Sequence, residues 1–160
     1  MLPASDHLFP SQDHDHATCV ATALDTAETI CRARGVRLTE LRRRVLELVW
    51  SNHKPVGAYA LLARLQENGS AAPPTVYRAL DFLLEQGLIH RVSSLNAFVG
   101  CARPGEDHSG QFLICEQCQN LVELDDADIS AAIARGSSAS GFAPRLQTVE
   151  ILGLCPQCRD

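Results

Sequence analysis

The chain has 160 residues, 46% of them apolar, and a formal net charge of −5. That suffices for one modest core or two small ones, and no apolar run approaches the ~20 residues of a membrane-spanning helix. There is no basic start followed by an apolar stretch, and seven cysteines, an odd number, fit poorly with a fully paired disulfide framework; a reducing, cytoplasmic setting is expected.

The acidity is uneven. Residues 1–19 hold three acids and no Lys or Arg, residues 20–100 hold ten Lys/Arg against seven acids, and residues 101–160 hold four against nine. The middle is therefore locally basic, with Arg32, Arg34, Arg37 and Arg42-Arg43-Arg44 near its start. That asymmetry suits a DNA-facing segment joined to an acidic one, although a solvated helix face has the same composition.

In chain order, residues 1–19 are polar and rich in His and Asp, and a mobile tail is expected there. Its His14-Asp-His16-Ala-Thr-Cys19 run, with His7 upstream, is either a weak metal site or a solvated arm. A helix from about Val20 to Arg34 should stop at Gly35. Thr39 can cap the next, in which Leu41, Val45, Leu48 and Val49 recur at helical spacing and leave Arg42–Arg44 near the outer face. A third is expected over 58–67. The fourth opens at Pro74, where a missing N–H is harmless; Val76, Leu80, Leu83 and Leu84 face inward, and Thr75, Tyr77, Arg78 and Asp81 lie nearer solvent. After Gly87, residues 88–92 and 97–101 read as a hairpin around Ser93–Asn96. Helices followed by a hairpin describe a winged helix-turn-helix over 20–101, whose fourth helix would enter a major groove.

Past a hinge at 102–110 with Pro104-Gly105, residues 111–160 suggest a small α/β domain: strands over 111–115, 121–124 and 145–152, a helix over 127–135, and a small-residue loop over 136–141. Here lie two Cys-x-x-Cys steps, Cys115/Cys118 and Cys155/Cys158, separated by 36 residues. Two residues between cysteines let both sulfurs turn to one point, so two such steps can close a tetrahedron of thiolates. Such a site leaves no position for a substrate and is structural. A zinc deaminase would need a His-x-Glu before Pro-Cys-x-x-Cys, and a thiol oxidoreductase would want one pair on a thioredoxin-like unit; neither pattern is present. A zinc-stabilised interaction adaptor would leave the winged-helix half without a purpose.

With these pieces placed, the chain resembles the ferric uptake regulator (Fur) family of metal-dependent repressors. The matching stretches are Val36–Leu46, Pro73–Val92 with its Thr75-Val-Tyr-Arg78 turn, and both cysteine pairs, together spanning roughly residues 20–158. Within the family it is most similar to the zinc uptake regulator branch. The resemblance implies an α+β fold, a homodimer joined through its C-terminal domains, and zinc-dependent binding of a pseudo-palindromic DNA operator. It also implies a second, regulatory site from His90, Cys101, His108 and Glu123, with Asp125, Asp126 and Glu106 as alternatives to Glu123, and thus two Zn²⁺ per chain. One thiolate, two imidazoles and one carboxylate suit zinc. An iron-sensing relative would carry more histidines before the first cysteine pair, where this chain has only His108 in Glu106–Gln111. On DNA, Arg78 is the candidate for a guanine edge. Tyr77 is a candidate for a thymine methyl or a phosphate, and Thr75 with the helix N-terminus for phosphate. Arg37, Arg42, Arg43 and Arg44 are candidates for non-specific phosphate attraction.

Overall fold

The computed structural model describes residues 8–9, 15–69 and 71–159; the expected tail falls largely on 1–7 and 10–14, outside them. The chain divides into two compact units, Met1–Glu106 and Asp107–Asp160.

The first unit opens with α1 (His16–Ala33), which starts four residues before Val20. The cause is Asp15, whose carboxylate accepts from the N–H groups of Ala17 and Thr18 and satisfies donors the helix itself cannot. Helix α2 (Glu40–Val49) is capped by Thr39, as its position suggested, through the Arg42 N–H. Helices α3 (Ala58–Gln66) and α4 (Pro73–Glu85) follow. Helix α4 buries Val76, Ala79, Leu80, Phe82 and Leu83 against α2 and α3, while Leu84 is only partly covered. Its end is fixed by Gly87 at φ +66°: the N–H groups of Gly87 and Leu88 bond back to Leu84 and Leu83, a reversal that needs a left-handed residue.

That reversal aims the chain into β1 (Ile89–Val92), which pairs antiparallel with β2 (Ala97–Gly100), His90 opposite Val99. The connection is a 3₁₀ turn over Ser93–Leu95, closed by left-handed Asn96. Val56 exchanges both backbone bonds with Phe98 and adds a one-residue third strand to the wing. Gly100 is obligatory for packing: a Cβ there would sit 2.1 Å from the Trp50 ring.

The second unit is a three-stranded sheet in the order β4-β3-β5 with one helix. Strand β3 (Gly110–Cys115) runs antiparallel to β4 (Leu121–Glu123) and parallel to β5 (Thr148–Gly153). A parallel neighbour needs a crossover of a dozen residues or more, and α5 (Ala127–Ala139) supplies it. This corrects the expected loop at 136–141. The alanines and serines tolerate helical geometry through Gly136, and the stop comes at Gly141, φ +65°, with Gly141 and Phe142 bonding back to Ser138 and Ser137. Gln111, 1% exposed, anchors the helix to the sheet. Its amide nitrogen donates to the Asp126 carbonyl (2.9 Å) and Ser130 (2.8 Å), and its oxygen accepts from the Asp126 N–H (3.2 Å).

Candidate metal centres and DNA surface

Cys115 ends β3 and lies opposite Gly153 of β5, so parallel pairing alone carries Cys155, two residues further on, to its side. A tight turn follows β3: the Cys115 N–H donates to Asn120, the Gln119 N–H to Cys115, and Gln119 takes a left-handed φ of 63°. That turn folds Cys118 back, leaving its sulfur 3.8 Å from that of Cys155. The second step closes through the Cys158 N–H to the Cys155 carbonyl, 3.0 Å. The four sulfurs all lie within 4.8 Å of one another. The 36-residue gap, long for a zinc ribbon, is the length of the β4–α5 crossover.

The donor chemistry fits a soft divalent cation. Backbone N–H groups aim at the Cys115 sulfur, above all that of Cys118 and then that of Cys155 (3.4 Å), and hold its pKa down to about 6. Cys158 is pushed up to about 12, first by its contact with Cys155 and then by burial, and Cys118 is also raised. Four clustered sulfurs cannot all shed protons against one another's charge; a central Zn²⁺ supplies the compensation, and these four residues would hold it.

The four expected regulatory ligands fall two to a unit. In the first, His90 on β1 pairs with Val99, and Cys101 lies two residues beyond Val99 with its N–H on the Leu88 carbonyl. The pleat therefore puts His90 and Cys101 diagonally on one face of the wing, their ligand atoms within 4.8 Å. Cys101 is 2% exposed. In the second unit, His108 leads into β3 and Glu123 ends β4, with His108 Nε2 2.7 Å from Glu123 Oε1 and both side chains largely buried. The ladder sets Glu123 opposite Phe112, and the segment before β3 brings His108 back to it. Each half thus presents two well-matched ligand atoms.

On α4, Thr75, Tyr77, Arg78 and Asp81 are all exposed, Tyr77 by 45%. The backbone at this helix start offers little to a phosphate. Pro73 and Pro74 have no N–H, and those of Thr75 and Val76 already bond the Ala72 carbonyl (3.0 and 3.3 Å), which leaves the Thr75 hydroxyl. The arginines divide. Arg42 donates to the Arg37 carbonyl (2.7 Å) and its guanidinium covers the Phe82 ring at 3.6 Å; Arg44 pairs with Glu47 at 2.6 Å and Arg43 with Glu28 at 3.8 Å. Arg37 and Arg78 are exposed. Tyr59, absent from the sequence-derived candidates, projects from the first turn of α3 with 82% exposure. Its signal was its place beside Ala60, off the Leu61/Leu65 stripe.

A winged helix in one unit and a four-thiolate centre in the other define a metal-binding protein of the winged-helix class. The chain belongs to the ferric uptake regulator family, whose model matches residues 33–152. It is 40% identical over 143 residues to the zinc uptake regulation protein of Escherichia coli (strain K12), covering 88% of this chain and 84% of that protein. Among solved structures it is similar to holo XcZur, at 45% identity and TM-score 0.80 over 85% of this chain and 96% of that one. It is also similar to a zinc uptake regulator complexed with zinc and DNA, at 39% identity and TM-score 0.82 over 86% and 93%.

Among the described residues no helix is long and apolar enough to cross a membrane.

Proposed function

We propose that this chain is a zinc-responsive transcriptional repressor that acts as a homodimer on pseudo-palindromic operators of zinc uptake and homeostasis genes in the cytoplasm, and that it is a regulator rather than an enzyme. The observation that carries the reading is the donor set: a buried thiol beside an imidazole on the wing, and an imidazole against a carboxylate in the second unit. One sulfur, two nitrogens and one oxygen match tetrahedral zinc better than iron or manganese, which favour nitrogen and oxygen sets. The relatives' names point the same way.

In this reading Cys115, Cys118, Cys155 and Cys158 hold a structural zinc. His90, Cys101, His108 and Glu123 hold the regulatory one, so that each chain takes two. A bound zinc would cost these ligand residues their freedom. Two winged helices at fixed spacing match two half-sites, and by linkage DNA strengthens zinc binding as much as zinc strengthens DNA binding. Arg78 reads a base edge, and Tyr77, Thr75, Tyr59 and Arg37 are available for further contacts. The homodimer is supported by β5, which lies at the sheet edge and leaves Ile151 and Leu152 exposed, with exposed Leu154 just past its end.

Cys101→Ser and Glu123→Ala should keep the structural zinc, measured as metal retained after dialysis, and lose zinc-dependent operator retention in a gel shift. Variants that still respond to zinc like the parent would remove these residues from the regulatory site.

A further inference from the structure

Two histidines outside both metal centres meet in the first unit. His16 is the first residue of α1 and His53 lies in the connection between α2 and α3. Their ring centroids are 4.6 Å apart, with the planes inclined by 60°. Such a pair arises from edge-to-face packing alone, but the spacing also suits a shared ion: two imidazoles on one tetrahedral zinc, at the usual Zn–N distance of about 2.0–2.1 Å, have centroids roughly 5 Å apart. Charge of both signs lies nearby: Glu47 pairs with Arg44 at 2.6 Å, and Arg64 donates to Ser51 at 2.9 Å. The Asp15 carboxylate sits directly before His16 and caps α1. His16 also lines an open cavity of about 470 Å³ with Glu47 and Ser51, which gives room for bound water.

We propose that His16 and His53 form a further, weaker divalent-metal site within the Met1–Glu106 unit, taking an imidazole-preferring ion such as zinc, with water completing its coordination. Two protein ligands bind less tightly than four, so the site fills only after the thiolate and regulatory centres. A metal that binds the folded unit and not the unfolded chain stabilises the fold by mass action, here by stapling the start of α1 to the α2–α3 connection. The site lies in one unit and does not depend on the regulatory reading.

The test is a zinc titration of the full-length protein beyond two equivalents, followed by ¹H–¹⁵N correlation of the imidazole nitrogens. The expected result is a shift of the His16 and His53 ring nitrogens together, in a phase later than those of His90 and His108. His53→Ala should weaken this late phase by at least the roughly tenfold that even loss of a ligand's supporting partner costs, and His16→Ala should do the same. A His7→Ala/His14→Ala double variant should leave it in place. Late zinc that leaves both rings unmoved, that binds His53→Ala as tightly as the parent, or that is lost only with His7 and His14, would overturn the proposal.

Discussion

Arg42 and Arg78 look alike in the sequence and have different chemistry in the structure. Arg42 is committed to a carbonyl and an aromatic face inside its own unit, whereas Arg78 stands exposed beside Tyr77. Arg78→Ala should therefore cost about 1–3 kcal/mol on the operator and much less on random DNA, read by anisotropy on both. Arg42→Ala should instead lower stability by about 1 kcal/mol in denaturant unfolding. Equal losses for Arg78→Ala on both DNAs would make it a phosphate contact. The thiols make a second residue-scale prediction. At pH 7 Cys115, with a pKa of about 6, is already ionised, while Cys118 and Cys158 are raised above their ordinary value and hold protons. Zinc capture must displace at least those two, so affinity falls as pH falls. Calorimetry of the metal-free protein in buffers of different ionisation enthalpy should report two or more protons released per structural zinc; fewer would contradict the assignment.

At the scale of elements, the wing depends on one glycine. Gly100→Ala drives a methyl into the Trp50 ring and should destabilise the first unit by about 1–3 kcal/mol, seen as a lower unfolding midpoint; an unchanged midpoint would mean that Trp50 moves freely. The same elements show which features were legible in sequence. Helices α2 and α4 were, to within a residue or two, because Thr39, Pro74 and Gly87 mark their ends and their apolar residues keep one period. The start of α1 was missed because Asp15 sits in a run that reads as a polar tail. The end of α5 was missed because Ser, Ala and Gly at 136–140 suit a helix or a loop equally, and tertiary context decides. Cysteine spacing identified the four thiolates without showing how they meet; parallel pairing of β3 with β5, which no local pattern encodes, supplies that. Exposed Tyr59 and the approach of His53 to His16 are equally products of packing.

For the whole molecule, two units differ in kind: one carries a basic winged helix with His90 and Cys101 together on the wing, the other a sheet with four clustered cysteines, an apolar edge and His108 against Glu123. On the proposed function, zinc binding and DNA binding are two readings of one equilibrium. The most direct test starts from protein holding one zinc per chain and follows the fluorescence anisotropy of a labelled operator as zinc, iron(II) or manganese is added. The account predicts tight binding that appears as the second zinc equivalent loads, with iron and manganese less effective. Binding driven equally well by iron, or operator affinity indifferent to the second equivalent, would contradict it.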